Sequence, residues 1–521
     1  MSSPSLIRPL LRPLSLIAVL GAGVWLLWPP SERRVDPASA AGPERPVKHV
    51  IRFAPGGNYF PGTLPQGVGQ PLQGITKVIA AFEARFPDTH VEVINTPLLR
   101  EFLVTQLSGG SAPDIVTVNV EDVWVDTQKN WYVPLDRFLE APNPFVAERD
   151  PKGPGARQWW DMFRYQAISR GKKGPDGRNY CISYDMVETG IFYNKTFFAA
   201  HGLKVPTTWG ELLAVSERIR QLGRTPLAVN IDALADWGQD LIFDQIYQEL
   251  LPGIDLKKDP DRDAYQPAYL DPDEIAFLYQ KGLFTRRDPR YTEVWRHMEE
   301  LVPYITRDLI SADLNRDFVN QGSIMFWSGS WLTGRLANDR SLGFEYDVFY
   351  LPPITKQESP YAIGAPMCVI GGSGTQYEIT NSAVGDTDPR LPFAERIERS
   401  ERLQRTVQLL QFLCLPENAE TVVNEYAGFI PNIVGVPVLK PLAPFERILE
   451  RRYTSTKWAF TFDLRYNDIT RRMLLLFLTR GIDLKGFLAW QESNLRAATQ
   501  NFIDRKRPDF APFEAEWRRL A

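Results

Sequence analysis

The fold is constrained most strongly by an alternation of apolar patterns in the first quarter of the chain. Short apolar runs at 47–53, 91–94 and 115–118 are typical of strands, and apolar side chains at helical spacing occupy 75–86 and 99–107. A strand–helix–strand–helix–strand order predicts a parallel sheet with helices on both faces. In such sheets, ligands bind outside the carboxyl ends of the strands.

A segment near the N-terminus sets the expected compartment. Arg8 and Arg12 precede an uncharged run of 15 residues at 14–28. Positive residues stay on the cytoplasmic side of a membrane, so the remainder of the chain is expected to be periplasmic or extracytoplasmic. We predict a signal or anchor segment at 1–28 and a linker at 29–46, which together tether the protein to the cytoplasmic membrane. A small-residue pattern beyond the apolar run leaves cleavage open as the alternative.

Composition excludes several classes of protein. A chain of 521 residues that is 44% hydrophobic can build more than one lobe. Its net charge of −4, with no basic block beyond the first 50 residues, opposes nucleic-acid binding. Cys181, Cys368 and Cys414 are too few for a disulfide framework, although one bridge is possible. The histidines lack ligand spacing and no nucleotide-binding motif occurs, so we expect no metal, no cofactor and no nucleic-acid partner.

One strand in the middle of the chain carries unusual polar groups. Tyr184, Asp185 and Glu188 lie on a predicted strand, although a buried strand ordinarily excludes such side chains. A capping box, formed by Thr208 and Glu211, opens the second helix that follows. A strand with polar and aromatic side chains, flanked by clearly predicted turns and helices, suggests that the chain crosses the floor of a ligand cleft here.

Several short motifs resemble, in the family's own order, those of the extracellular solute-binding proteins of ABC importers, specifically the family 1 group that binds sugars. The motifs are SAPDIV at 111–116, PLD at 134–136, GRNY at 177–180 with YD at 184–185 and YNK at 193–195, PTTWGEL at 206–212, FVNQGSIMF at 318–326 with GSW at 329–331, and LQFL at 410–413 with PEN at 416–418 and GFIP at 428–431. The resemblance covers neither the first 46 residues nor the extended C-terminus.

The resemblance implies an α/β, two-lobed, periplasmic-binding-protein-like fold of type II. Each lobe is expected to hold a mostly parallel sheet flanked by helices, with the ligand in a cleft between the lobes. The N-terminal lobe is predicted to comprise 47–183 and 326–370, and the C-terminal lobe 184–325 and 371–521. Chain crossings are expected near 183–188, 325–330 and 366–372. The stretch 373–396 is interpreted as a polar insertion.

The resemblance also implies a function. Such a protein captures a sugar or oligosaccharide by hinge closure, delivers it to ABC permease subunits and catalyses nothing; we expect it to act as a monomer. Two alternatives remain: a ligand-sensing module that signals to a membrane partner, and an exported glycosidase in which two acids such as Asp185 and Asp122 form the catalytic pair.

Sugar sites combine flat aromatic rings, which stack on the apolar face of a sugar, with carboxylates and amides that bond neighbouring hydroxyls. The candidate ligand-binding residues are Asp122, Trp124, Tyr184, Asp185, Glu188, Trp237, Trp327, Trp331 and Gly364. The resemblance implies stacking for Trp331, matched to the family's GSW tryptophan, with a core position behind the hinge as the alternative.

Other candidates have equally plain alternatives. Asp185 could make a hinge hydrogen bond, and Trp237 could pack at the start of a helix. Trp327 lies close to Trp331, but a strand places neighbouring side chains on opposite faces. A solvated helix face is predicted by three aspartates spaced four residues apart: Asp236, Asp240 and Asp244.

Overall fold

The computed structural model describes residues 46–520 except 96–99, 119–122, 124–125, 127–128, 166–172, 175, 259–268, 365–370, 451–456, 461 and 463. The chain divides into two units, Met1–Pro46 and Val47–Ala521. Because residues 1–45 lie outside the described part, the predicted anchor and linker stay predictions. No helix among the described residues combines the length and apolar character needed to cross a bilayer.

The described strands are labelled in chain order. They are β1 His49–Phe53, β2 Thr89–Val93, β3 Ile115–Val116, β4 Cys181–Ser183, β5 Asp185–Asn194, β6 Thr225–Ala228, β7 Tyr269–Leu270, β8 Ser323–Gly329, β9 Tyr346–Phe349, β10 Gly371–Gly372, β11 Gln376–Ile379, β12 Ile430–Pro431 and β13 Lys457–Trp458.

The described α-helices are labelled in the same way. They are α1 Gly74–Arg85, α2 Arg100–Ser108, α3 Asp136–Leu139, α4 Pro144–Arg149, α5 Lys195–Ala200, α6 Trp209–Gln221, α7 Ile231–Ala233, α8 Gln239–Tyr247, α9 Leu251–Ile254, α10 Pro272–Gln280, α11 Pro289–Leu301, α12 Leu314–Val319, α13 Trp331–Asn338, α14 Phe393–Arg399, α15 Glu401–Leu413, α16 Pro416–Tyr426, α17 Leu464–Leu478, α18 Leu484–Lys506 and α19 Ala511–Leu520. A π-helical turn, Leu234–Gly238, joins α7 to α8, and a 3₁₀ helix spans Lys440–Glu450.

The first lobe is built on a sheet of order β2-β1-β3-β11-β4. Strand β1 runs parallel to β2 and β3, with α1 and α2 as the crossovers, as the sequence predicts. Helix α1 buries Ile75, Val78, Ile79 and Phe82 on one face and ends before Pro87. Each such side chain contributes about 1.5–3 kcal/mol on full burial, so this face fixes α1 to the lobe.

The second lobe is built around the ten-residue strand β5. The order of its sheet is β10-β5-β8-β6, with β9 and β12 also paired to β5. Only the β6–β8 pair among these is parallel, whereas β5 is antiparallel to each of its partners. The expectation of mostly parallel sheets is therefore corrected: both sheets are mixed. Strands β5 and β11 enter from the other lobe, so no helical crossover imposes a parallel direction on them.

Helix α6 begins at the predicted cap. The Thr208 side chain accepts a hydrogen bond from the Glu211 amide at 3.2 Å. The Glu211 carboxylate accepts from the Thr207 amide at 2.7 Å, one residue earlier than a capping box places it. The helix start is thus fixed by its own sequence.

The strand pairings correct the predicted lobe boundaries. Strands β8 and β9 pair with β5 in the second sheet, although the prediction assigned 326–370 to the N-terminal lobe. Strand β11 lies between β3 and β4 in the first sheet, although 373–396 was interpreted as a polar insertion and 371–521 as part of the C-terminal lobe. Side chains of α15 and α16 belong to the same core as β1 and α1. The first lobe therefore comprises 47–183 and the stretch from β11 through α16, 376–426.

The connections between the lobes follow from these pairings. The predicted crossing near 183–188 is confirmed, because β4 belongs to the first sheet and β5 to the second. The crossing expected at 325–330 is wrong, since β8 pairs with the second sheet along its whole length. A crossing between β10 and β11 lies just beyond the predicted 366–372, most of which is outside the described residues. A further connection lies between α16 and β12, since α16 packs in the first-lobe core and β12 pairs with β5.

The C-terminal segment returns to the second lobe. Apolar side chains of β13, α17 and α18 share one core with β5, α6, α8 and α11. Phe487 of α18 packs against Trp295 of α11, with ring centroids 4.8 Å apart. The residues beyond 457 are therefore an integral wall of the second lobe. In the first lobe, the side chains of Cys181 and Cys414 are both buried.

Candidate functional site

A cavity of about 730 Å³ opens in the second lobe. Three pieces of chain bound most of it: the turn and helix at 230–243, the end of β8 with the start of α13 at 326–331, and the C-terminal segment at 457–491. They meet there because the C-terminal segment packs against both α8 and α11. The lining mixes large aromatic rings with carboxylates, amides and two cations.

Three of the predicted tryptophans line this cavity. Trp237 lies on the π-helical turn, Trp327 on β8, and Trp331 at the start of α13. Trp237 meets Trp327 edge to face, with ring centroids 5.3 Å apart and an interplanar angle of 74°. Trp327 is only 1% exposed, so it backs the wall, whereas the rings of Trp237 and Trp331 are half-buried. The latter two therefore offer surface to a ligand.

The glycine before Trp331 has a specific steric role. A Cβ atom added to Gly329 would lie 2.1 Å from the Trp331 ring. One added to Gly428 would lie 3.0 Å from the Trp331 Cα atom. The GSW and GFIP motifs thus form one packing unit, in which two glycines allow the tryptophan to approach the backbone closely.

The turn that carries Trp237 is locally irregular. Asn230 caps α7 by accepting from the Ala233 amide at 2.8 Å. The chain then makes a π-helical turn, a geometry found most often at functional sites. Gly238 closes it, where an added Cβ would lie 2.8 Å from the Ala233 carbonyl oxygen. The extra residue of this turn places the Trp237 ring on the cavity wall.

The cations that line the cavity are both held by carboxylates. Lys457 Nζ lies 3.1 Å from Asp236 Oδ1 and 2.9 Å from Asp240 Oδ2. Arg471 lies 2.7 Å from Asp232. The predicted solvated face of aspartates is corrected, because Asp240 and also Asp244 are almost completely buried. Burial opposes the charged form of Lys457, but the Asp240 and Asp236 carboxylates outweigh it and raise the pKa of the ammonium.

Asp185 lies in the hinge rather than on the cavity wall. Its carboxylate accepts from the Tyr59 hydroxyl at 2.6 Å and from the Thr375 amide at 2.7 Å. Burial raises its pKa to about 7, although these two donors favour the charged form. Asp185 thus joins the loop after β1, the first crossing and the second crossing. Asp185 therefore makes the hinge hydrogen bonds given as the alternative, and its expected contact with a ligand stays a prediction.

Tyr184 and Glu188 are also fully buried and do not line the cavity. The Tyr184 hydroxyl donates to the Leu413 carbonyl at 3.1 Å, within the first-lobe core. Glu188 Oε2 accepts from the Tyr350 hydroxyl at 2.5 Å. Their hydroxyl and carboxylate groups bond within the hinge and the core, and the expected ligand contacts of both side chains stay predictions.

The remaining candidates are less informative. Gly364 is exposed, has a left-handed backbone with φ of 64°, and does not line the cavity. Asp122 and Trp124 lie outside the described residues. The acid pair of Asp185 with Asp122 therefore stays untested. Within the described ranges, no group of three or more His, Cys, Asp or Glu side chains could hold a metal ion.

Sequence reasoning missed the C-terminal wall of the cavity. Its lining residues are Lys457, Trp458, Phe460, Tyr466, Asn467, Thr470, Arg471 and Gln491. No local sequence pattern predicts these residues, because their partners in the cavity lie more than 200 residues earlier in the chain. Lys457 and Asp236, for example, are 221 residues apart. The one available sequence signal was the pair Asp236 and Asp240, which are four residues apart. A buried carboxylate needs a cation beside it, so this pair indicated a cation from elsewhere in the chain.

A family model described as bacterial extracellular solute-binding protein matches residues 68–373, more than half of the chain. The chain belongs to this family. The matched region includes Trp237, Trp327 and Trp331 but ends before the C-terminal wall. The solute-binding family therefore accounts for two of the three pieces that bound the cavity.

Two curated relatives are similar over part of their length. The osmoprotective compounds-binding protein GgtB of Synechocystis sp. is 25% identical over 34% of this chain and 40% of its own. The multiple sugar-binding protein of Streptococcus mutans is 24% identical over 30% of this chain and 32% of its own. The chain thus spans less than half the length of either relative.

Solved structures of solute-binding proteins share the fold. The ABC substrate-binding protein Lmo0181 of Listeria monocytogenes, solved with cycloalternan, matches with a TM-score of 0.56 and 15% identity, over 88% of this chain and 98% of its own. At that identity the match shows the fold alone. It supports the two-lobed architecture.

Proposed function

We propose that this protein is an extracytoplasmic receptor that captures a sugar or oligosaccharide in the cavity described above, by closure of the two lobes, and delivers it to an ABC importer. The observation that carries the proposal is the presence of two half-buried tryptophan rings, Trp237 and Trp331, on one cavity with amide, hydroxyl and carboxylate side chains. Aromatic faces bind the C–H surface of a sugar ring, and the polar groups bind its hydroxyls.

The charges of the cavity favour an uncharged ligand. Among the described lining residues, the two cations are Lys457 and Arg471, and both are engaged by aspartates. An anionic ligand would lose its hydration there without gaining a free counterion. Neutral partners remain available, among them Gln491, whose buried Oε1 has no hydrogen-bond partner in the described part of the chain. Saccharide hydroxyls suit such groups better than carboxylates or phosphates do.

The size of the cavity supports the same class of ligand. About 730 Å³ lies well inside the range of roughly 300–1,000 Å³ that is usual for small-molecule sites. The hinge segments at Tyr184 and 373–375 are short, which suits closure of one lobe on the other. The names of the similar proteins, a multiple sugar-binding protein and a cycloalternan complex, point to saccharides as well.

The glycosidase alternative has less support. Hydrolysis of a glycosidic bond needs two carboxyl groups that flank this bond, one of which is protonated and acts as the general acid. Asp236 and Asp240 are the carboxylates nearest in sequence to Trp237, and both are bound to Lys457. Burial raises the pKa of Asp240 to about 7 in spite of Lys457, but its carboxyl group is only 2% exposed and lies against the ammonium, which leaves it no accessible face towards a glycosidic bond.

A thermal-shift screen of purified protein against sugars, amino acids, polyamines and inorganic anions tests the ligand class. A true ligand at 100 times its dissociation constant adds about 2.7 kcal/mol of stability. We expect saccharides alone to produce such a shift. Stabilisation by amino acids or anions without any effect of saccharides would contradict the proposal.

Substitution of the cavity tryptophans tests the site. Trp237→Ala and Trp331→Ala should each weaken saccharide binding in calorimetry. Trp517→Ala is the matched control, because Trp517 packs against Phe277 of α10 with ring centroids 6.2 Å apart and does not line the cavity. Delivery is tested separately, by asking whether the loaded protein stimulates ATP hydrolysis by its permease in vesicles.

A further inference from the structure

Lys457 connects the C-terminal segment to the turn that carries Trp237. Its ammonium contacts Asp236 and Asp240, the carboxylates on either side of Trp237 in the sequence. Asp240 is 2% exposed, whereas Asp236 is 69% exposed at its side chain. One cation thus bridges a buried anchor and the outer part of the turn.

The backbone of Lys457 is fixed independently of the turn. Strand β13 pairs in parallel with β7, with Lys457 opposite Tyr269 and Trp458 opposite Leu270. The Ala459 amide donates to the Leu270 carbonyl at 3.0 Å. Trp458 is buried and packs on Phe243 of α8, with ring centroids 5.5 Å apart. The ammonium therefore projects from a rigid part of the second lobe.

The inner side of the turn is held by Leu234, which is completely buried in the second-lobe core, whereas the side that carries Asp236 is exposed. The π-helical geometry of the turn lacks the regular bond pattern of an α-helix. Gly238 contributes no side chain to packing, and Trp237 is half-buried with its edge contact to Trp327. Within the described part of the chain, the exposed Asp236 carboxylate pairs with Lys457 alone. The position of the Trp237 ring therefore depends on contacts made from outside the turn.

We infer that Lys457 is a positioning residue of the ligand site, which holds the Trp237 ring in place by binding Asp236 and Asp240 together. The inference deepens the proposed function and rests on it only where ligand affinity is concerned. It assigns a role to the C-terminal segment, which lies beyond the family match at 68–373. Loss of the ammonium frees the turn, and a mobile ring binds a sugar less tightly because it must be ordered on binding.

Hydrogen exchange in the absence of ligand is the first test. Lys457→Met keeps the aliphatic stem but removes the charge, and we expect amides of 234–240 to exchange at least about tenfold faster, which corresponds to about 1.4 kcal/mol. Lys457→Arg, which retains a cation with several donors, should restore most of the protection. Arg471→Met is the matched control: it removes the other lining cation, whose partner Asp232 lies outside the turn, and should leave 234–240 unchanged.

A second variant distinguishes a local effect on the turn from general unfolding of the protein. Removal of Lys457 alone leaves Asp240 buried beside no cation, which is destabilising. The double variant Lys457→Met with Asp240→Asn removes that charge and should fold, while the turn remains unprotected. Unchanged exchange of 234–240 in both the single and the double variant would overturn the inference.

Saccharide affinity is the second test. We expect Lys457→Met to weaken binding about tenfold, with little further loss when it is added to Trp237→Ala, because both act through the same ring. Fully additive effects of the two substitutions would contradict the inference. If the native protein binds no saccharide, the proposed function fails, and the exchange experiment still decides the role of Lys457.

Discussion

The hinge strand and the cavity turn both carry carboxylates beside aromatic rings, yet they use them differently. At the hinge, Asp185 is completely buried and accepts from Tyr59 and Thr375, which belong to other segments of the hinge. At the cavity, Asp236 and Asp240 bind Lys457, which arrives from the far end of the chain. Polar residues on a crossing strand thus need not face the ligand. The Asp185 carboxylate is thus bonded within the hinge, whereas on the cavity wall the Gln491 side-chain oxygen has no hydrogen-bond partner among the described residues.

This contrast makes Tyr184 a test of the hinge. Tyr184 lies in the first-lobe core against Tyr59 and Tyr377, with ring centroids 6.1 and 5.5 Å away. Truncation of a buried aromatic side chain costs about 3–5 kcal/mol, so Tyr184→Ala should lower the free energy of unfolding by that amount in urea titrations. Tyr184→Phe removes only the bond to Leu413 and should cost about 0.5–1.5 kcal/mol. A Tyr184→Ala protein of native stability with weakened ligand binding would reverse the assignment of the two regions.

Trp331 is the corresponding test of the cavity. Its half-buried ring lines the cavity, so Trp331→Ala should reduce saccharide affinity by about 2–4 kcal/mol, the size of a binding hot spot. Calorimetric titration with the saccharide found by screening measures the loss. Thermal unfolding without ligand should change much less than in Tyr184→Ala. An affinity equal to that of the native protein would remove Trp331 from the site.

Local patterns in the sequence predicted the parts of the fold that depend on local periodicity. The alternation of β1, α1, β2, α2 and β3 is an example, since apolar side chains at strand and helix spacing report which face is buried. Strand β11 was not predicted, because its sequence is polar. Its Gln376 and Glu378 are buried, and Gln376 bonds both Val118 and Glu378. Such a strand is stabilised by long-range hydrogen bonds, which no short window of sequence contains.

The same reasoning explains what was predictable in the site. The tryptophans were found because they stand in motifs that the family repeats, and Gly329 shows the physical reason for one motif. The polar candidates on β5 could not be assigned from the sequence, since a polar side chain on a strand indicates either a ligand or a partner from another segment. Tyr59 and Thr375 are such partners for Asp185, and they lie 126 and 190 residues away. Only the assembled fold separates the two cases.

The pH dependence of the free energy of unfolding tests the protonation state of the hinge residue Asp185. Its pKa is about 7 in the folded protein against an ordinary 3.8, so between these values the folded state holds a proton that the unfolded state has lost. Stability should therefore fall as pH rises from about 4 to about 7. Asp185→Asn removes this contribution, so the stability of the variant relative to the native protein should rise over that interval, by at most about 1.4 kcal/mol per pH unit.

Urea titrations at several pH values measure that difference. Part of the slope should persist in the variant, because burial also raises the pKa of Glu274 to about 8. Asp347→Asn, at an exposed carboxylate of β9, is the control and should give a profile parallel to that of the native protein. Parallel profiles for Asp185→Asn as well would show that Asp185 is charged in the folded hinge.

The smallest effect is expected at the outer ion pair of the cavity. Asp232 and Arg471 are 69% and 45% exposed at their side chains, unlike the buried Asp240 that Lys457 holds. An exposed pair contributes about 0–1 kcal/mol because water and salt screen it and two flexible side chains must be ordered. Asp232→Asn should therefore change the free energy of unfolding by less than about 1 kcal/mol in urea titrations, and the change should shrink in high salt. A larger loss, insensitive to salt, would mean that this pair is shielded as Lys457 is, and that the whole C-terminal wall is held to the turn by buried charge.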